Sequence, residues 1–285
     1  MLEFPEIVCI RKQLQKTVVG KRIADVAVEH KDTFAGTVRE SLLTQVPEEF
    51  QRRLNGARVT KVENRSSFLL VSTDKKSTLL VGDLVGSMRF HDSDKGLPKK
   101  ACLRLGFSDS SFLTVVVGLF GQIRVFTNRE LTGYLRKWIG ESVEPTSKQY
   151  TWQGFRKAVA AAGEKKISAK KFLTSCFPTY YVSGLGGGYV GEILYRAKIH
   201  PKRKLASLSV DEQRAYYRCI DEVVREAIKQ GGRRSEKDLF GQPGRFVPHV
   251  CKDTLGTPCP ECGAAIEKLS FEGGASYVCP GCQPL

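Results

Sequence analysis

Four cysteines near the carboxyl end constrain this chain of 285 residues more than any other feature. Cys259 and Cys262 form one Cys-x-x-Cys pair, Cys279 and Cys282 form a second, and sixteen residues separate the pairs. Two residues between thiolates let a tight turn aim both sulfurs at a single ion. Two such turns complete the tetrahedral shell of a structural zinc site. Gly263 and Gly281 stand where knuckle turns of this kind need open backbone angles. The intervening "AAIEKLSFEGGASYV" alternates apolar and polar residues about a Gly-Gly turn and reads as a β-hairpin. Disulfides and a redox dithiol compete for the same spacing; one structural zinc ion is the expectation. Cys9, Cys102, Cys176, Cys219 and Cys251 show no pairing pattern, which suits a reducing compartment.

No apolar signal segment opens the sequence, and no apolar run is long enough to span a membrane. The expectation is a soluble cytoplasmic, nucleoid-associated monomer with no membrane partner. Lys and Arg number 45 against 30 Asp and Glu, a net charge of +15 and a pI near 9.5. An excess of this size favours a polyanionic partner, because each neutralised phosphate releases condensed counterions. The basic residues gather in "EKKISAKK" (Lys165, Lys166, Lys170, Lys171), "HPKRK" (Lys202, Arg203, Lys204) and "GGRR" (Arg233, Arg234). Any one cluster reads equally as a solvated surface. Beside a zinc module, the set points to nucleic acid.

The texture changes once along the chain. Residues 4–16 place Ile7, Ile10 and Leu14 at helical spacing behind Pro5. Between 18 and 127 come short β-like runs: "RIADVAVE", "ARVTKVENR", "SFLLVST", "STLLVGDLVGSMRF", "CLRLGFS", "SFLTVVV" and "QIRVFT". Many short strands at this spacing predict a sandwich or barrel. Beyond 150, "TWQGFRKAVAAAG" and "SVDEQRAYYRCIDEVVREAIKQGG" are helical. The latter has Ser209 as N-cap, Glu212 three residues on and Gly231 at the C-cap. The fold class is therefore α+β and multidomain: a β-sandwich with a leading helix over 1–140, a helical domain over 150–240 and a zinc hairpin over 247–285.

Within the helical half, "SGLGGGYVGEILYRAKIHP" puts Gly184, Gly186, Gly187 and Gly188 before a helix starting near Tyr189. A glycine turn opening a helix presents backbone N–H groups to a phosphate, although it also serves as a plain tight turn. Taken with the start "MLEFPEIVCIRKQL", the stretch "LVGDLVGSMRF" and the closing cysteine pattern with Gln283, the chain resembles the formamidopyrimidine-DNA glycosylase / endonuclease VIII family of base-excision repair enzymes. The glycine segment is similar to the turn and second helix of that family's helix–two-turn–helix motif.

The resemblance implies a β-sandwich and a helix–two-turn–helix domain that clamp duplex DNA, a zinc finger in the minor groove and a damaged nucleotide flipped out of the stack. It implies attack on the sugar C1′ by an amino-terminal proline amine, proton handling by the next glutamate, a Schiff base and strand cleavage by elimination. An α-amine, with an intrinsic pKa of about 8, leaves roughly a tenth of itself neutral at pH 7. Glu3, Pro5 and Glu6 match the family start, but Leu2 stands at the proline. Leucine disfavours removal of Met1, so the amine would lie about 3.5 Å beyond its family position. Ser67 stands at a strand lysine, Gly187 at the helix–turn–helix asparagine and Gly274 at the finger arginine. The candidate catalytic set is Met1, Leu2, Glu3 and Glu6. Gly187, Gly188, Tyr189, Arg89, Arg124, Lys157, Lys170 and Arg203 are candidate DNA contacts. Leu84 is the candidate wedge for the hole left by a flipped base, with Gln122, Ile123 or Arg124 of "FGQIRVF" as a second source. Two readings stay open: an active glycosylase and abasic-site lyase using the Met1 amine, a processed Leu2 amine or a nearby lysine, and a protein of the same fold that binds damaged or structured DNA without cutting. An RNA-binding zinc protein lacks a supporting aromatic platform.

Overall fold

The computed structural model describes residues 1–29, 45–174, 181–272 and 274–285. Cys176 and Gly273 of the Gly-Gly turn lie outside the described residues. The chain divides into two compact units: Met1–Leu135 with Arg234–Gly244, and Arg136–Arg233 with Arg245–Leu285.

The first unit opens with α1 (Phe4–Thr17), whose Ile7, Ile10 and Leu14 are buried as their spacing predicts. Two four-stranded antiparallel sheets follow. One has the order β1 (Ile23–Val28), β6 (Leu103–Phe107), β7 (Phe112–Val117) and β5 (Gly86–His91); the other has β2 (Val59–Arg65), β3 (Phe68–Thr73), β4 (Ser77–Gly82) and β8 (Gln122–Thr127). Val26, Met88, Leu105 and Val115 of the first sheet share one core with Val62, Val71, Leu79 and Ile123 of the second. This is the predicted sandwich.

The run 77–90 is not one strand. β4 ends at Gly82 and β5 begins at Gly86, in the other sheet. Asp83 makes the crossing with φ +47°. Both flanking glycines are needed: a Cβ at Gly82 would lie 2.0 Å from the Phe68 ring, and one at Gly86 2.0 Å from the Val116 carbonyl. Two helices also fall within the stretch 1–140 expected as a sandwich with only a leading helix. These are α2 (Pro47–Leu54), led by Pro47 with Glu48 and Glu49 in its first turn, and α3 (Asn128–Ile139).

The second unit carries α4 (Trp152–Glu164), α5 (Ala169–Thr174), α6 (Gly187–Arg196) and α7 (Val210–Lys229). α7 has the expected capping box, with the Glu212 amide donating to Ser209 Oγ at 3.2 Å and the Ser209 amide to Glu212 Oε2 at 2.7 Å. Gly231 beyond it has φ +80°. The unit closes with the hairpin of β9 (Glu267–Phe271) and β10 (Gly274–Val278).

Candidate functional site

In the first unit, four pieces of backbone converge on the start of the chain. The Leu2 amide donates to the Leu84 carbonyl at 2.9 Å, and the Leu2 side chain is buried in the sandwich core. With Met1 in place the Leu2 nitrogen is a peptide nitrogen, its lone pair delocalised and its N–H engaged. The α-ammonium of Met1 lies 3.0 Å from Glu236 Oε1, and both groups are half-buried. Glu3 is the N-cap of α1. Its carboxylate accepts from the Glu6 backbone, and the Glu3 amide donates to Glu6 Oε2 at 3.0 Å. Both carboxylates are buried, so Glu3 and Glu6 fix the direction in which the first residues leave the helix.

The Asp83–Val85 crossing is the second piece. The Asp83 carboxylate accepts from Ser67 Oγ at 2.7 Å and Gln122 Nε2 at 3.2 Å. Gln122 accepts in turn from the Tyr134 hydroxyl. Burial pushes the Asp83 carboxyl above its ordinary range, against the pull of its two donors. Ser67 therefore holds the crossing.

The third piece is the turn between β7 and β8. Val85 N donates to the Phe120 carbonyl at 2.8 Å, and Gly118 N to the Val85 carbonyl at 2.7 Å. Leu119 and Phe120 at the tip are 51% and 41% exposed. Leu84, expected as the wedge, is 1% exposed and part of the core, so it cannot leave without opening a cavity. Ile123 is equally buried, Gln122 is held by Asp83, and Arg124 lies 5.1 Å over the Tyr134 ring. The exposed apolar groups are two to five residues upstream of those named from the sequence. An apolar pair bracketed by Gly118 and Gly121 at a strand turn was the available signal.

The fourth piece is the segment 234–244. Arg89 donates to the Asp238 carbonyl at 2.7 Å and to the Met88 carbonyl at 2.8 Å, and burial lowers its pKa. It ties this segment to β5, a tethering role in place of the expected DNA contact. Glu236, which the segment carries to the Met1 amine, had no signal in the sequence, because 235 residues separate the two.

In the second unit, α6 begins at Gly187 with Gly186 as N-cap. Gly187 is exposed, and a Cβ there would meet nothing within 4 Å. Its N–H and that of Gly188 stand at the positive end of the helix dipole. Tyr189 is fully buried, its ring 5.6 Å from Phe246 and 4.9 Å under the Arg233 guanidinium; it is core, not a DNA contact. Lys170 is also turned inward, donating to the Phe271 carbonyl and to the Gly274 carbonyl at 3.3 Å. With Ser168 Oγ donating to Glu272 Oε2 at 2.6 Å, it pins the turn of the β9–β10 hairpin to α5. Arg203 forms a fork on Glu212, at 2.9 and 3.2 Å, and donates to Ser207 O at 2.9 Å. Only Lys157 of the five expected basic contacts is exposed.

The sulfurs of Cys259, Cys262, Cys279 and Cys282 lie within 4.8 Å of one another. The Cys259–Cys282 separation is 3.7 Å and the Cys262–Cys279 separation 3.3 Å, close to the edge of about 3.8 Å that four zinc–sulfur bonds of 2.3 Å require. None is a disulfide distance. The Tyr195 hydroxyl is 3.2 Å from Cys259 Sγ, and the Cys282 amide donates to Cys279 Sγ at 3.4 Å. Gln283, fully buried, accepts from Cys279 N at 3.0 Å and donates to Ile199 O at 2.9 Å, fixing the second knuckle to the helical unit. Gly263 has φ +75°, as the knuckle needs. Gly281 is required for space instead, since a Cβ would lie 2.8 Å from Cys262 Sγ. The four thiolates and their supports fit zinc.

Comparison with known proteins agrees with this architecture. Residues 1–129 match the model of the formamidopyrimidine-DNA glycosylase N-terminal domain, and residues 142–238 match that of the formamidopyrimidine-DNA glycosylase H2TH domain. Formamidopyrimidine-DNA glycosylase of Listeria innocua is 28% identical over 99% of this chain and 100% of its own length. That of Streptococcus pneumoniae is 29% identical over 99% of each. Among solved structures, Lactococcus lactis Fpg in complex with DNA containing an abasic site superposes with a TM-score of 0.84 at 24% identity, over 99% of this chain and 100% of that one. The wild-type Lactococcus lactis Fpg with N7-benzyl-Fapy-dG DNA gives 0.83 at 25% identity over the same shares. Two family domains in order, the strand crossing, the glycine-led helix and the four-cysteine knuckles together mean that the chain belongs to the formamidopyrimidine-DNA glycosylase family.

Proposed function

We propose that this protein is a base-excision repair DNA glycosylase and abasic-site lyase, acting on duplex DNA that carries oxidised bases or abasic sites and holding one structural zinc ion. The observation that carries this reading is the Met1 α-amine, half-buried and set 3.0 Å from a carboxylate by a chain start that is fixed on both sides. In a protein that only bound DNA the same pair would be a tether for the chain end and nothing more. The family names and the Fpg–DNA complexes support the same substrate class.

The amine attacks C1′ of the lesion nucleotide once that nucleotide has left the stack. Leu119 and Phe120 fill the space it vacates. Gly187 and Gly188 offer N–H groups to a backbone phosphate, with Lys157 as an outer contact. Cys259, Cys262, Cys279 and Cys282 hold the zinc that gives the hairpin its shape. The binding-only reading rests on side chains missing at Ser67, Gly187 and Gly274, yet Ser67 has a structural task and Gly187 keeps its backbone donor. It is not favoured.

The test is borohydride trapping on a duplex with one abasic site, read by intact mass and peptide mapping. A covalent adduct on the Met1 amine is the expected result. Tight binding with no adduct would refute the catalytic reading.

A further inference from the structure

Glu236 lies 3.0 Å from the terminal amine, and the way it is held there goes beyond a surface ion pair. Residues 236–244 form a closed loop: Gly244 N donates to the Glu236 carbonyl at 3.1 Å and Asp238 N to the Gln242 carbonyl at 2.8 Å, and Gly241 turns at φ +85°. The Asp238 carboxylate caps the loop from inside, accepting from Phe240 N at 3.0 Å and Gln242 N at 2.8 Å. Gln13 of α1 grips the loop twice, donating to Asp238 Oδ2 at 2.7 Å and accepting from Leu239 N at 3.1 Å. On β5, Phe90 N donates to the Leu239 carbonyl at 3.0 Å and Arg89 to the Asp238 carbonyl at 2.7 Å. Leu239 itself is fully buried in the sandwich core. Two elements, α1 and β5, and the burial of Leu239 thus fix a loop from the far end of the sequence so that its first residue meets the first residue of the chain. A surface pair made by two flexible groups needs no such frame.

We propose that Glu236 is a catalytic residue, the base and then the acid of Schiff-base formation at the Met1 amine; this rests on the lyase reading above. Glu236 takes one proton from the Met1 ammonium, leaving a neutral amine. The nitrogen lone pair bonds to C1′ of the ring-opened abasic sugar while the carbonyl π pair moves to oxygen. A proton passes from nitrogen to that oxygen, giving a carbinolamine. Glu236 returns its proton to the hydroxyl, the C–O bond breaks, water leaves, and the nitrogen lone pair forms the iminium. The net change is ammonium plus aldehyde to iminium plus water, with the carboxylate restored. Glu3, engaged by the first turn of α1, then has its family role shared or taken over by a residue of the loop.

The experiment measures the single-turnover rate of borohydride-trapped adduct on a duplex with one abasic site, with affinity for the unreacted duplex as a parallel readout. Wild type, Glu236→Gln, Glu236→Asp and the exposed neighbour Lys237→Gln are compared. Glu236→Gln is expected to lower the trapping rate by about a hundredfold, within the range of general acid–base catalysis, with affinity changed less than about threefold. Glu236→Asp keeps a carboxylate one methylene short and is expected to trap at least ~tenfold faster than Glu236→Gln; Lys237→Gln should behave as wild type. Equal rates for wild type and Glu236→Gln, or for the Asp and Gln variants, overturn the proposal while leaving the lyase reading intact. No adduct in wild type overturns that reading and this proposal with it; an adduct mapped to an internal lysine keeps the lyase reading and overturns this proposal.

Discussion

Glu3 is the position at which a structural and a chemical role can be pulled apart by magnitude. It caps α1, is 2% exposed, and exchanges hydrogen bonds with Glu6 across the first turn. Glu3→Ala removes a buried acceptor and orphans the Glu6 amide, a loss of about 1 kcal/mol in a range of 0.5–2. Glu3→Gln keeps an acceptor oxygen and loses only the charge at the helix start, about 0.3–1 kcal/mol. In a domain of this size each kcal/mol moves the melting midpoint by about 2–4 °C. Neither variant empties the folded state at 25 °C, because a stability of even ~5 kcal/mol reduced by ~1 leaves only about 0.1% unfolded. A proton-transfer role is far larger, a hundredfold or more in rate. Calorimetry and borohydride trapping on the same preparations therefore separate the two. If Glu3 handles protons, Glu3→Gln melts within about 3 °C of wild type yet traps at least a hundredfold more slowly. Wild-type trapping by Glu3→Gln, with Glu3→Ala melting lower, would show a cap and nothing else.

Leu119→Ala and Phe120→Ala should each weaken binding to an abasic duplex by about tenfold while leaving the melting midpoint unchanged, since both side chains are exposed. Unchanged affinity in the double variant removes the β7–β8 turn from the interface. For Asp83 the sign follows from burial, which raises its folded pKa above the unfolded value. Its favourable contribution is complete below the unfolded value of about 3.9 and is lost as pH rises through the folded value. Denaturant titrations of Asp83→Asn against wild type should accordingly show the variant gaining relative stability as pH rises from about 4, and a flat difference would contradict the assignment. Among the basic residues, Lys157→Ala should reduce the slope of log affinity against log salt by about 1. Lys170→Met should leave the slope unaltered and raise amide exchange at the β9–β10 turn, because its ammonium is bonded to Phe271 and Gly274. A lowered slope for Lys170→Met would restore it as a phosphate contact.

What the sequence made legible depended on range. The capping box at Ser209 and Glu212, the cysteine knuckles and the alternating strands are all set by neighbours within a few residues, and each appears where its spacing puts it. α2 is equally local in its signals, Pro47 and an acidic first turn, but they stand within a long stretch of strand-like texture. The run 77–90 misled for a different reason. β-like texture continues on both sides of Gly82–Asp83, and only the close approach of the Phe68 ring and the Val116 carbonyl shows that the chain changes sheets there. Charge misled most. Lys165, Lys166, Lys202, Lys204 and Arg234 are exposed, whereas Lys170 and Arg203, from the same clusters, are turned inward to hold a hairpin turn and a helix cap. A net charge of +15 registers both kinds alike. Composition thus points to a polyanionic partner, but the residues available to such a partner are those the fold has not already assigned to its own carbonyls and carboxylates. The same rule runs in reverse at the start of the chain. Glu3 drew attention through its place beside Met1, while the carboxylate that touches the amine comes from position 236, brought there by Leu239 in the core and by Gln13 and Arg89 on the loop.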